Sequence, residues 1–195
     1  MPTTRLQLAV IVGSTREGRF GDTVAHWFAA QARQRDELVV DVVDLAELGL
    51  PAALPAHNTP EVQAYAERID RADAVVVVTP EYNHSYPASL KQAIDILRAP
   101  WERKPVGFVS YGGLSGGLRA VEHLRPVFAE LYATTIRETV SFHGAALAFD
   151  DAGEPRDATG AAAAAKKMLD DLIWWGNALR SARRSPELAE ITWEE

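Results

Sequence analysis

Short apolar runs rich in β-branched residues recur along the chain, each bounded by glycine, proline or charge. They lie at 6–12 (LQLAVIV), 38–45 (LVVDVVDL), 74–78 (AVVVV), 105–111 (PVGFVSY) and 134–142 (TTIRETVSF), and they read as strands. The four consecutive valines of the third run predict a strand buried on both faces. Between the runs the apolar positions shift to helical spacing. Val24, Trp27, Phe28, Gln31 and Ala32 mark one face of a first helix, and Val62, Tyr65, Ala66, Ile69 and Ala72 a second. Thr59 is placed to cap that second helix, with Pro60 at its first position. Leu90, Ala93, Ile94 and Leu97 give a third; Leu118, Val121, Leu124, Phe128 and Leu131 a fourth, with a kink expected at Pro126. A long alanine-rich helix through 161–165, Met168, Leu172 and Trp175 closes the series.

Strands alternating with helices imply right-handed crossovers and a parallel sheet covered on both sides. Five strands suit a three-layer α/β fold of flavodoxin-like order 2-1-3-4-5 better than a six-stranded dinucleotide fold. A ligand then belongs at the carboxyl ends of the strands, so the loops after the first, third and fourth carry the most information. The 195 residues are expected to form one domain, with 185–195 (SPELAEITWEE) an acidic tail. A hydrophobic share of 47% with 24% charged residues is that of an ordinary globular protein. The chain has no cysteine, which excludes a disulfide scaffold, a thiolate metal site and a cysteine nucleophile. The net charge of −7, with no basic stripe to offset it, argues against nucleic acid as a partner. No run of 18 apolar residues and no signal-peptide pattern are present, so a cytoplasmic protein with no membrane partner is expected. The histidines at 26, 57, 84, 123 and 143 form no HxH or HExxH pair, and no metal site is expected.

The first loop, GSTREGRFGD (13–22), carries glycines at 13, 18 and 21 with Ser14, Arg16 and Arg19. Converging amides, a helix N-terminus and two guanidinium groups make an anion cradle suited to a phosphate monoester. The spacing approaches the nucleotide-binding GxxxxGK[ST], but Arg19 replaces its lysine and Phe20 its hydroxyl, which excludes NTP hydrolysis. After the third strand, TPEYNHSYP (79–87) offers a rigid proline, the bracing groups Glu81 and Asn83, and the plane of Tyr82. Taken alone, that loop reads equally as an edge for a flat heteroaromatic ring or as aromatics facing a subunit partner. After the fourth strand, SYGGLSGGLR (110–119) lets the backbone approach a ligand at Gly112 and Gly113 and permits a tight helix entry at Gly116 and Gly117. The same stretch spells GxSxG around Ser115, the serine-hydrolase elbow. Ser115 lies four residues beyond Tyr111, however, and only glutamates precede the last histidine, His143.

Together, GSTREGRFGDTVAHWF, TPEYNHSYPASLKQAID and SYGGLSGG resemble the NAD(P)H-dependent FMN reductase family of flavodoxin-like quinone, azo and flavin reductases, over roughly residues 6 to 145. The resemblance implies that Ser14, Arg16, Arg19, Phe20 and Gly21 hold the FMN phosphate. It implies that Pro80, Glu81, Tyr82 and Asn83 line the isoalloxazine, and that Ser110, Tyr111, Gly112 and Gly113 close over its pyrimidine edge. Many relatives carry a small hydroxyl residue at the position of Arg19 and asparagine at that of Gly21. NADPH or NADH would be the hydride donor and a quinone, free flavin or azo compound the acceptor, in a homodimer or homotetramer. No side chain is assigned as catalytic acid or base. An FMN-binding redox sensor or carrier without turnover is the alternative reading, and a serine hydrolase the third.

Overall fold

The computed structural model describes residues 5–189. Five strands, β1 (Leu6–Val12), β2 (Leu38–Asp44), β3 (Ala74–Pro80), β4 (Pro105–Gly112) and β5 (Thr134–His143), form one parallel sheet of order β2-β1-β3-β4-β5. Every residue of the central β3 is buried, whereas the edge strands β2 and β5 mix buried with half-buried or exposed positions. Successive side chains alternate between faces. Val76 and Val78 enter one core with Leu8, Val10, Val109 and Val140, packed beneath α1 (Gly21–Arg33) and α6 (Ala158–Arg184). Val75 and Val77 enter the other with Ile11, Val106 and Phe108, beneath α2 (Pro60–Arg71), α3 (Ala88–Asp95) and α4 (Leu118–Glu130). Each fully buried valine contributes about 1.5–3 kcal/mol, which is why the unbroken apolar run takes the centre of the sheet.

The second helix starts where the sequence predicts. Thr59 accepts a hydrogen bond from the Val62 amide at 3.3 Å, and Pro60 opens α2. α4 continues through Pro126. Leu97 lies past the end of α3 but is buried, and Leu118 at the start of α4 is exposed. A 3₁₀ turn at Ala99–Trp101 was not legible in the periodicity; it buries Trp101, whose indole donates to the Ile94 carbonyl at 3.0 Å. The short helices α5 (Ala145–Ala148) and α7 (Pro186–Ala189) were likewise unmarked. α7 takes up the start of the expected acidic tail, and the remainder of that tail lies outside the described residues. Among the described residues no helix is long and apolar enough to cross a membrane.

Strand register decides what meets at the carboxyl edge. Val12 pairs with both Asp44 and Val78, Pro80 with Tyr111, and Gly112 with His143. The loops after β1, β3 and β4 therefore leave the sheet at one level, and β1 and β3 flank the point where the strand order reverses. At the opposite edge, Asp73 accepts from the Gln7 amide at 3.0 Å and from Arg183 at 3.2 Å, tying α6 to the sheet. Lys104 is buried beside it and donates to the Ile69 and Asp70 carbonyls at 2.7 and 2.8 Å, capping α2.

Candidate functional site

The loop after β1 is pinned from both sides. The Gly13 amide donates to the Val78 carbonyl at 2.9 Å, and Ser89 donates to the Gly13 carbonyl at 3.1 Å. A side chain at Gly13 would stand 3.1 Å from that Val78 carbonyl, which explains the glycine. Ser14 is fully buried and its hydroxyl meets that of Tyr82 at 2.8 Å. Arg16 is exposed, with no side-chain partner among the described residues. Gly18 takes φ +64 with open space where a side chain would stand. Phe20 precedes α1 without a side-chain cap, so the first-turn N–H groups of that helix are left for another acceptor.

Arg19 has a different role from its neighbour Arg16. Its Nη1 donates to the Ser14 carbonyl at 2.7 Å and to Asp44 at 2.8 Å, its Nη2 to Asp44 at 2.5 Å, and its Nε lies 2.7 Å from Asp22. Burial works against its charge, but the hydrogen bond and field of Asp44, with Asp22, outweigh it and hold the guanidinium above its ordinary pKa. These contacts commit its N–H fork to carboxylates and a carbonyl, and they staple the loop to the end of β2. The Phe20 ring is equally committed, packing edge-on against Tyr111 and Phe149 at 6.1 and 5.2 Å.

After β3 the chain makes a two-residue hairpin turn. Tyr82 and Ser85 exchange backbone hydrogen bonds of 2.9 and 3.0 Å around Asn83 and His84, which both have positive φ (49° and 71°). That is type I′ geometry, and in non-glycine residues each such conformation costs about 1–3 kcal/mol unless its surroundings enforce it. Enforcement comes from Pro80, buried at the strand end, from the Ser14–Tyr82 contact, and from Glu81. The Glu81 amide donates to the Tyr111 carbonyl at 3.1 Å. Its carboxylate accepts from Ser115 at 2.5 Å, from the Arg119 amide at 3.2 Å and from the Arg119 guanidinium at 3.1 Å. Burial raises the Glu81 pKa, but the Ser115 hydroxyl and then Arg119 outweigh that and hold it below the ordinary carboxylate value.

The loop after β4 is drawn down onto β5. Ser110 and Ser141 both donate to the Gly116 carbonyl at 2.8 Å, and the Gly144 amide donates to the Gly113 carbonyl at 2.9 Å. Gly116 and Gly117 both have positive φ, and a side chain at Gly117 would collide with Ser110 at 2.7 Å. These two glycines do permit the tight helix entry. A side chain at Gly112 would stand 3.2 Å from the Gly117 amide nitrogen, while Gly113 faces open space. The GxSxG serine is not an elbow: Ser115 gives its proton to Glu81, and His143 bonds the Leu114 carbonyl at 3.0 Å instead of a serine nucleophile.

Three loops thus converge: the Ser14 hydroxyl meets that of Tyr82 at 2.8 Å, and both side chains lie near enough to the Tyr111 phenol to act on its charge. Asp44, Ser89 and Arg119, which brace this edge, are not marked in the sequence, and Ser115 is marked there only as a GxSxG serine. For Asp44 the signal was available, because an acid ends β2 at the same level as the arginine-bearing loop. A cavity of about 500 Å³ adjoins Thr15 on the β2 side, walled by Leu45, Leu50, Pro51 and Ala88. It borders the first loop but not 80–83 or 110–113, so its volume does not describe a ring pocket between the second and third loops. Among the described residues no cluster of three or more potential metal ligands occurs.

Fold and edge geometry together define a class, a flavodoxin-like α/β protein with its ligand loops at the carboxyl ends of β1, β3 and β4. The chain belongs to the NADPH-dependent FMN reductase family, whose model matches residues 6–146. It is 37% identical over 120 residues to an NAD(P)H-dependent FMN reductase of Schizosaccharomyces pombe, a match covering 57% of this chain and 60% of that one. It is 35% identical over 162 residues to a quinone reductase of Pseudomonas putida, covering 78% and 86%. Among solved structures it resembles FerB, a flavoenzyme NAD(P)H:(acceptor) oxidoreductase of Paracoccus denitrificans. That match has a TM-score of 0.70 and 25% identity, and it covers 89% of this chain and 98% of FerB.

Proposed function

We propose that the protein is an NAD(P)H-dependent FMN oxidoreductase that reduces a quinone, free flavin, azo compound or similar flat acceptor. The observation that carries this reading is the Ser14–Tyr82 contact at 2.8 Å, which joins an anion-ready loop to a rigid aromatic turn in a chain of this family. FMN fits the residues present. Among the described residues Arg16 has no side-chain partner and the α1 N-terminus no side-chain cap, and Gly18 and Gly113 leave backbone facing open space.

Ser14, Arg16 and the amides entering α1 would hold the phosphate, with Gly21 allowing close approach. Pro80, Glu81, Tyr82 and Asn83 would carry the ring along their backbone, and Ser110, Tyr111, Gly112 and Gly113 would close the other side. Arg19 and Phe20 shape the loop from behind. Bound there, FMN would supply two-electron redox chemistry between the nicotinamide donor and the acceptor. The chain's own contribution is position and exclusion of water. The type I′ turn fixes main-chain donors and acceptors in space before any ligand arrives. Glu81 is committed to Ser115 and Arg119, so it braces two loops and does not act as a base. A cytoplasmic homodimer or homotetramer is the setting this reading expects.

The test is fluorescence titration of the protein with FMN, FAD and riboflavin, followed by NAD(P)H oxidation against a panel of quinones. FMN should bind more tightly than either of the others, because one terminal dianion matches one cradle. Arg16→Ala should weaken FMN about ten- to a hundredfold, the scale of one hydrogen bond to a charged group, and leave riboflavin unchanged. Flavin binding without NAD(P)H turnover would favour a sensor or carrier instead.

A further inference from the structure

We propose that the Tyr111 hydroxyl is a ligand of the cofactor's terminal phosphate, delivered from β4 to the start of α1 in the space a side chain at position 21 would fill. The proposal rests on the FMN reading above. It moves Tyr111 from the ring end of the site, where the family resemblance puts it, to the phosphate end.

The geometry is specific. Tyr111 pairs with Pro80 in the sheet and sends its side chain into the core shared with α1 and α6. The residue is only 6% exposed, and its ring is held edge-on by Phe20. A Cβ built on Gly21 would lie 2.8 Å from the Tyr111 oxygen. The phenol therefore occupies the side-chain position of the first residue of α1, beside that helix's unpaired amides. Glycine at 21 is what admits it.

Ser14 is fully buried and its hydroxyl is engaged by Tyr82 at 2.8 Å. The Tyr111 hydroxyl, on a nearly buried residue, stands beside the α1 amides, and a buried donor requires a partner. The nearby guanidinium does not compete for this position, because Arg19 is committed to Asp44, Asp22 and the Ser14 carbonyl. An anion at the α1 N-terminus would accept that proton directly from Tyr111. Burial, and next the nearby Tyr82, keep the Tyr111 phenol far above its ordinary pKa, so it remains a donor throughout neutral pH.

The experiment compares dissociation constants for FMN and riboflavin, read by flavin fluorescence, in the wild-type protein, Tyr111→Phe, Gly21→Ala and the double variant. Thermal melting of each protein without flavin serves as the folding control. Tyr111→Phe keeps the ring packed and should weaken FMN about tenfold or more, as expected for one hydrogen bond to a charged group, with riboflavin unchanged. Gly21→Ala displaces the hydroxyl without deleting it and should give the same phosphate-selective loss. The double variant should bind FMN no more weakly than either single one. Equal losses for FMN and riboflavin, or FMN binding unaffected by both substitutions, would overturn the assignment while leaving the FMN reading in place. A wild-type protein that binds FMN no better than riboflavin would instead remove the phosphate site itself, and this proposal with it.

Discussion

Arg19→Ala separates two roles for the same guanidinium. If Arg19 staples the first loop to β2, its partner is Asp44, joined by parallel hydrogen bonds of 2.8 and 2.5 Å between side chains only 13% and 15% exposed. Exposed ion pairs contribute about 0–1 kcal/mol, and hydrogen bonds to charged groups about 1.5–3. A partly buried two-point pair should therefore couple by about 2 kcal/mol. Arg19→Ala also forfeits Asp22 and the Ser14 carbonyl, for a total loss of about 3 kcal/mol. Asp44→Ala leaves Arg19 only Asp22 and the Ser14 carbonyl and should lose about 2–3 kcal/mol. Urea denaturation of the flavin-free protein in a double-mutant cycle reads the coupling directly, and FMN titrations of the same variants read the cofactor. Under the staple reading, both single substitutions loosen the loop and weaken FMN in parallel. Additivity within about 0.5 kcal/mol, with FMN weakened by Arg19→Ala but not by Asp44→Ala, would refute the reasoning and make Arg19 a phosphate ligand.

Ser115→Ala removes one donor from Glu81 and should leave NAD(P)H oxidation within about tenfold of the parent; loss of an esterase activity by several orders of magnitude would restore the hydrolase reading. Tyr65 is fully buried and its hydroxyl has no hydrogen-bond partner among the described residues. Tyr65→Phe should therefore stabilise the fold by about 1 kcal/mol, seen as a higher urea midpoint at unchanged slope, and a lower midpoint would contradict this. Burial pushes the Lys104 ammonium down to about 8 from an ordinary 10.5. The unfolded chain then binds more protons between those values, so stability should rise with pH across that window. Lys104→Met should lack the rise relative to the wild type, and identical pH profiles for the two proteins would refute it.

The sheet was legible because burial on both faces leaves an unmistakable mark, the valines of β3, and because five such runs separated by helical spacing admit few topologies. The three loops were legible because glycine, proline and polar residues cluster where strands must end. What stayed hidden is partner choice. Nothing local to GSTREGRFG says that Arg19 faces Asp44, which is 25 residues away in sequence and comes near only once β2 pairs with β1. Tyr111 reads from the chain as the last residue of the fourth strand, where the ligand loop opens; only the register of β4 against β3 turns it under the first loop toward Gly21. Asn83 and His84 carry no glycine signal for positive φ, because the contacts that enforce their turn come from Ser14, Ser115 and Arg119. Short elements such as α5 and the turn holding Trp101 span too few residues to establish a period.

The central claim is that this edge holds FMN where a nicotinamide can reduce it and a flat acceptor can reoxidise it. The most direct measurement is anaerobic: protein loaded with FMN and freed of excess flavin is mixed with stoichiometric NADPH or NADH, and the visible flavin absorption is followed. The account predicts that the band bleaches with one or both donors and returns when benzoquinone is added, with nicotinamide and quinone consumed one for one. Bound FMN whose absorption stays unchanged with both donors would contradict it.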